Sequence, residues 1–448
     1  MSDTSFSSVI ANRGFRFLWL NQVLMQLASN TLNFALIIWV FKLTDSNFAV
    51  SALILAVYLP AFLFAIIGGI FADRADKRKI IIIIDLLFAL AFLIFPFIRG
   101  SYPLILLNTF FINSLTQFFI PAESSSIPLL VSKKQLFVAN SLFSFTLYGA
   151  FMIGFTIAGP ILNGFSISPI FYLGLVLMLV GAFFSQKLPP LQVAVKKNNQ
   201  HIKDLIVSET KETFRFIRGK LPITTSIGLL ALIQGIIGVL AVVIPSYMER
   251  VLHIHATDAS LYLMLPLGLG MVTGALVVGR FFHSKPKRLI IIPAMIIAGM
   301  LLFLVGVIPT IAKLLDATAL PSRIYHLRYF LNAPSLSSTF AIVAYLLGFV
   351  TVSVIIPAQT ILQESTNIEN RGKIFAVLTV MMNIFAMFPV LLAGIVADLF
   401  GTTVVFVGMG SAVFIMGILA LKPSLFFKEK SLPYPVREFL GLGHWSKN

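Results

Sequence analysis

Gly68-Gly69-Ile70-Phe71-Ala72-Asp73-Arg74-Ala75-Asp76-Lys77-Arg78-Lys79 is a knot of charge set between two long apolar runs. Upstream, the residues from Phe48 are almost wholly apolar, and downstream Ile80 to Ile98 carries a single charge, Asp85. Each flank is long enough to cross a bilayer, for which about 20 apolar residues suffice. The knot is therefore expected in water, and its Lys77-Arg78-Lys79 run places it on the cytoplasmic side, where membrane proteins concentrate Lys and Arg. Gly68 and Gly69 leave room for a neighbouring helix to approach closely. Asp73 is placed to face a positive helix N-terminus or a nearby Arg. A loop that only sets topology needs the basic run, but it leaves the Gly-x-x-x-Asp-Arg spacing unexplained.

The whole chain has the same character. Its 448 residues are 58% hydrophobic and 11% charged, with a mean hydropathy of +0.96, which excludes an ordinary soluble protein. A net charge of +16 on so apolar a chain raises nucleic acid as a partner. The location of the charge removes it. With twelve spans drawn, only Lys42, Arg99, Arg250, Lys313, Arg323 and Arg328 of the 33 basic residues fall outside. The bias is topology, and it puts both termini in the cytoplasm of a multi-pass protein of the plasma (cytoplasmic) membrane. No Cys is present, so disulfides and thiolate metal sites are excluded. The polar stretch Met1 to Gly14 lacks the apolar core of a signal peptide, so the first span is expected to stay as an uncleaved anchor.

The first span, from about residue 17 to 41, carries Gln22, Gln26, Asn30 and Asn33 on one helical face. In hydrocarbon these amides either bond between helices or line a cavity. The fourth span, closing at about 121, adds Asn113 and Gln117. Asp85 in the third span and Glu123 beside Pro121 are acids near the membrane interior, functional candidates by default. Asp85 lies near the cytoplasmic end, where pairing with a local Arg or Lys is expected. The fifth span is rich in small residues and contains Gly149, Gly154, Gly159-Pro160 and Gly164, which suit close packing and a bend. The domains expected are a six-helix half over residues 1–187, a cytoplasmic linker with an amphipathic helix over 188–221, a second half over 222–421 and a cytoplasmic tail over 422–448. Residues 310–337 form a longer outside loop.

Ile120-Pro121-Ala122-Glu123-Ser124 at the end of the fourth span is echoed by Ile356-Pro357-Ala358-Gln359-Thr360 at the end of the tenth. Arg78-Lys79-Ile80 is likewise echoed by Lys287-Arg288-Leu289. The two offsets differ by about the length of the longer outside loop. Two homologous halves related by an axis along the membrane normal account for this, as in transporters built from parallel repeats. The fold class is thus an all-α membrane protein, with twelve transmembrane helices in two six-helix pseudo-symmetric halves.

On these residues the chain resembles the major facilitator superfamily over essentially its full length. Gly69-x-x-x-Asp73-Arg74-x-x-Lys77-Arg78 is similar to that superfamily's loop between helices two and three, with Asp76 where Gly is usual. Gly159-Pro160-Ile161-Leu162-Asn163-Gly164 is similar to the helix-five signature of antiporting exporters, with Asn163 replacing a Gly. Asn12-Arg13-x-Phe15-Arg16-x-Leu18-Trp19, Pro121-Ala122 and Pro357-Ala358-Gln359-Thr360 resemble the macrolide-efflux and enterobactin-exporter branch. The resemblance implies a secondary transporter that exports an amphipathic or hydrophobic small molecule by alternating access. Proton antiport would be carried by Asp85 or Glu123, since the first span has no carboxylate. Gly69, Asp73, Arg74, Lys77 and Arg78 would form a conformational latch. Gln26, Asn30, Asn33, Asn113, Gln117, Gln234 and Asn383 would line the cavity.

Movement of lipid or lysophospholipid is the alternative transport reading, and a membrane sensor the non-transport one. An enzyme is not expected, because His253 and His255 with Asp258 make only a loop cluster without convergent chemistry. No cofactor and no metal are called for. The partners expected are a small-molecule substrate and the lipid bilayer, with the chain acting as a monomer.

Overall fold

The computed structural model describes residues 6–132, 134–191, 221–281, 287–317, 333–364 and 371–421. The proposed amphipathic linker helix and the C-terminal tail lie outside the described residues. So does most of the longer outside loop. Among the described residues regular structure is entirely helical, and twelve helices are long and apolar enough to cross a membrane.

A short helix α1 (Phe6–Ala11) leads into the spans α2 (Arg13–Thr44), α3 (Asn47–Arg74), α4 (Lys77–Ile98), α5 (Tyr102–Leu130), α6 (Leu136–Phe165) and α7 (Ser168–Gln186). After the undescribed segment come α8 (Leu221–Arg250), α9 (Leu265–Phe281), α10 (Arg288–Ala317), α11 (Ala333–Glu364), α12 (Arg371–Phe400) and α13 (Thr402–Leu421). A 3₁₀ turn at Ala256–Asp258 and a π turn at Ser260–Met264 open the span that α9 completes.

Chain contacts divide the molecule into two compact units. The first holds the described residues through Leu191 except 46–51; the second holds 46–51 and the described residues from Leu221 onward. Helix pairing follows the same pattern in each unit. In the first, α2 packs on α6 and α7, and α4 on α5 and α7. In the second, α8 packs on α12 and α13, and α10 on α11 and α13. Counting spans, each is one on five and six, and three on four and six, the repeat that the sequence echoes implied.

Apolar helices in lipid gain little by hiding from one another, so contact is made where small residues let backbones meet. In the first unit a Cβ on Gly174 would clash with the edge of the Phe92 ring, and one on Gly154 would lie 2.9 Å from Asn30 Cβ. In the second, Gly270 and Gly348 each abut a backbone carbonyl of the facing helix, Tyr345 and Leu267 respectively. Stacked Phe95 and Phe171, 4.9 Å between centroids, fill the α4–α7 seam, and buried Tyr247 donates to the Val305 carbonyl.

Three helix ends differ from the sequence expectation. α5 runs through Pro121 to Leu130, and α11 runs through Pro357 to Glu364. Proline lacks an N–H but keeps a helical φ, so a membrane helix continues through it when neighbours satisfy the freed carbonyl. α4 starts at Lys77, so the basic run is its first turn rather than a loop.

Candidate functional site

The knot between α3 and α4 is reduced to Ala75 and Asp76. Asp76 has extended φ and ψ and caps α4, its carboxylate accepting from the Arg78 N–H at 3.1 Å and the Leu191 N–H at 3.4 Å. This is why an acid stands where the resembled loop has Gly: a capping carboxylate satisfies an orphan donor of the first turn. Lys77 is buried and its N–H reaches the Leu191 carbonyl at 3.4 Å, so the knot is tied to the chain just after α7. Arg78 donates to the Gln186 carbonyl at the end of α7. In the second unit Arg288 donates to the Ala420 carbonyl at 2.8 Å, at the end of α13. Each cation thus meets the negative end of the sixth helix of its unit. By this contact Arg288 corresponds to Arg78, one residue off the register read from the sequence echo.

Of the remaining latch residues, Arg74 is exposed and the Asp73 side chain lies outside the described residues. The two glycines separate. A Cβ on Gly68 would stand 2.0 Å from the Gln117 carbonyl oxygen of α5, whereas Gly69 has nothing within 4 Å. Pro121 has no N–H to give Gln117, four residues before it, so the carbonyl Gly68 touches is the one the proline leaves without its usual helical donor. Two signals read separately in the sequence, the glycine pair and the Ile-Pro-Ala echo, are one contact in the fold.

Of the helix-five residues, Gly159 is buried and Pro160 and Gly164 are exposed, and on the same helix Gly154 makes a close approach to α2.

Asp85 is fully buried where α2, α4 and α7 meet. Its Oδ2 accepts from Asn21 Nδ2 and from Ser185 Oγ, both at 2.8 Å, and Asn21 also donates to Ser185 Oγ. The Arg or Lys partner expected from the sequence is replaced by these neutral groups, and the Arg78 guanidinium is held instead at the Gln186 carbonyl. Asp85 Oδ1 is buried with no hydrogen-bond partner. Glu123, on α5 in the same unit, is buried with Oε1 likewise unpartnered. Asn21 and Ser185 were missed in the sequence. Asn21 is one amide beside the more regular set of Gln22, Gln26, Asn30 and Asn33, and its partners lie far along the chain.

The predicted polar face of the first span divides. Gln22 is buried and donates to the Phe143 carbonyl of α6 at 3.4 Å, a bond between helices. Gln26, Asn30 and Asn33 are half-buried, and Asn30 donates to the Gln26 carbonyl at 2.8 Å and to its Oε1 at 3.4 Å. On α5, Asn113 donates to the Thr109 carbonyl at 2.9 Å and Gln117 to the Asn113 carbonyl at 3.2 Å. In the second unit Asn383 donates to the Thr379 carbonyl at 2.9 Å, and Gln234 is half-buried next to Gly235, which meets Ala386 and Pro389 of α12. A backbone carbonyl can only receive the NH₂ side of an amide. Asn30, Asn113, Gln117 and Asn383 therefore turn their donors back onto their own helices and keep their oxygens for a partner. His253 and His255 belong to no group of three metal-ligating side chains among the described residues.

Comparison with known proteins agrees with this architecture. A family model described as Major Facilitator Superfamily matches residues 18–322. The MFS-type transporter YkuC of Bacillus subtilis (strain 168) is 24% identical over 315 residues, 66% of this chain and 71% of that one. Macrolide efflux protein A of Streptococcus pyogenes is 31% identical over 126 residues, 27% of this chain and 31% of that one. Among solved structures, the nucleoside transporter NupG superposes with a TM-score of 0.69 at 12% identity, covering 92% of this chain and 99% of its own. A POT family transporter in complex with a thioalcohol-conjugated peptide superposes with a TM-score of 0.67 at 13% identity, covering 93% and 97%. With the family model across most of its length and twelve helices long and apolar enough to cross a membrane, the chain belongs to the major facilitator superfamily and is a multi-pass membrane transporter of that type.

Proposed function

We propose that the protein is a secondary exporter of an amphipathic small molecule, coupled to proton antiport through Asp85 with Glu123. The observation that carries this reading is the buried Asp85 carboxylate, held on one oxygen by Asn21 and Ser185 and open on the other. A carboxylate in hydrocarbon without a cation is costly to keep charged, and it marks an ion pathway more often than a structural tie. Glu123, buried in the same unit with Oε1 likewise unpartnered, is a second acid that could take part in carrying the proton. Similarity to macrolide efflux protein A over part of the chain supports export and an amphipathic cargo. Amides that keep their oxygens free suit a solute carrying N–H or O–H groups. The basic bias of the loops supports cytoplasmic termini and placement in the cytoplasmic membrane. The division of the chain into two compact units supports two six-helix halves, and the transporting unit in this reading is the monomer.

The test is efflux of a hydrophobic dye from proteoliposomes holding the purified protein, with and without an imposed pH gradient. Gradient-driven movement supports proton antiport. Equal movement without a gradient removes the coupling, and transfer of labelled lysophospholipid in its place moves the cargo to lipid. Asn30→Leu with Asn33→Leu is expected to lower dye flux at least about fivefold, the cost of roughly one lost hydrogen bond to the solute, with folded yield unchanged. Unchanged flux removes the α2 amides from the binding surface.

A further inference from the structure

The pentapeptide at the heart of the knot occurs twice. Gly69-Ile70-Phe71-Ala72-Asp73 closes α3, and Gly394-Ile395-Val396-Ala397-Asp398 closes α12 with one apolar exchange. No run of Lys and Arg follows the second copy, so nothing in the charge pattern marks it.

Asp398 receives four hydrogen bonds. Its Oδ1 accepts from the Asn47 N–H and from Asn47 Nδ2, both at 2.8 Å. Its Oδ2 accepts from Ser46 Oγ at 2.7 Å and from the Phe48 N–H at 3.0 Å. These donors form the amino end of α3, a helix with no acid in its own first turn. An acid from α12 does the work that a local Asp or Glu usually does at a helix start. One turn before it on α12, a Cβ on Gly394 would lie 2.1 Å from Ser51 Oγ and 2.9 Å from the Asn47 carbonyl oxygen. Ser51 Oγ in turn donates to the Val390 carbonyl at 2.9 Å. Val390, Gly394 and Asp398 are spaced by four, so one stripe of α12 receives the start of α3.

Two features separate this from a static cap. Asp398 is exposed, so water stands ready to take over its four bonds. The seam beneath it is made where Gly394 meets Ser51 Oγ and the Asn47 carbonyl, and by the Ser51–Val390 bond.

We propose that Asp398 is a releasable clasp for the amino end of α3, the counterpart of the knot at the opposite end of that helix, about 40 Å away for its 28 residues. Ser46 and Asn47 position the donors, and Gly394 gives the clearance. In the transport reading on which its purpose rests, the clasp opens and closes once per cycle.

The chain contains no Cys, so Ser51→Cys creates a single thiol at a site that is fully buried while the clasp is closed. Its labelling rate with a membrane-impermeant maleimide reads opening directly and needs no substrate. Asp398→Asn, which removes the charge, and Gly394→Ala, which wedges the seam while keeping every donor and acceptor, are each expected to speed labelling about tenfold. The exposed Lys42→Cys should label at one rate in all backgrounds. Unchanged labelling of Ser51→Cys in both variants overturns the clasp. So does loss of a monodisperse protein in both variants, which makes Asp398 a fixed requirement of folding. If the export reading alone is wrong, the thiol still opens on the expected schedule while no solute moves.

Discussion

Asp85→Asn is expected to abolish gradient-driven flux, by about a hundredfold or more, in a protein that folds as well as the parent. The isosteric amide keeps an oxygen for Asn21 Nδ2 and Ser185 Oγ, so the joint of α2, α4 and α7 retains both bonds that hold it. Its NH₂ falls where Oδ1 already lacks a partner, so the change in stability should stay within about 1 kcal/mol. What it cannot do is take up and give back a proton. Asp85→Leu tests the other half of the statement. It strands two buried donors, each costing about 1–3 kcal/mol, and should lower the melting temperature in detergent where Asp85→Asn does not. The pair of variants separates carrying a proton from holding three helices together. If Asp85→Asn keeps its gradient-driven flux, the carboxylate is a structural hub. Glu123→Gln then becomes the variant that must lose coupling for antiport to survive.

Much of the fold was legible because the spans are long, mostly apolar runs and because Lys and Arg collect at alternate ends. The repeat was legible from two short echoes, and the helix pairing in each unit agrees with it. What the sequence concealed follows from physics that is not periodic. Pro121 and Pro357 read as ends, yet α5 and α11 continue through them, since in a membrane helix a missing N–H is a local matter. Asn21 and Ser185 meet Asp85 across separations of 64 and 100 residues that no helical period encodes. The amides of α2 and α5 were visible as a stripe, but whether each serves a neighbour or a cavity depends on which carbonyl lies within reach. Gln22 found one on α6, and Asn30, Asn113 and Gln117 found theirs one turn back. The second copy of the knot was plain in the letters at 394–398. It passed unnoticed because its acid is answered by backbone N–H groups rather than by a cluster of charge.

Gly68→Ala is expected to lower the melting temperature by about 5 °C or more, and Gly69→Ala to leave it unchanged or raise it slightly, although the family-like motif is anchored on Gly69. A Cβ at Gly68 would meet three atoms of α5, the Gln117 carbonyl oxygen at 2.0 Å, its carbon at 2.7 Å and the Phe118 nitrogen at 3.2 Å. All three are backbone, so no rotamer change relieves the clash and the helices must part. Overpacking of this kind costs about 1–3 kcal/mol, which in a domain of this size is several degrees. Parting α3 from α5 also pulls Phe64 and Phe71 away from Phe110 and Phe118, whose rings meet edge-on or tilted across the same seam. At Gly69 the added methyl enters open space, and replacing Gly by Ala within a helix contributes about 1 kcal/mol in favour of folding. Thermal unfolding of the two purified variants in one detergent decides the matter. An equal loss in both would mean that α3 approaches a neighbour at Gly69 as well. A loss confined to Gly68 assigns the packing to the glycine that meets the carbonyl freed by Pro121, and leaves Gly69 available for a part in the latch that stability does not read.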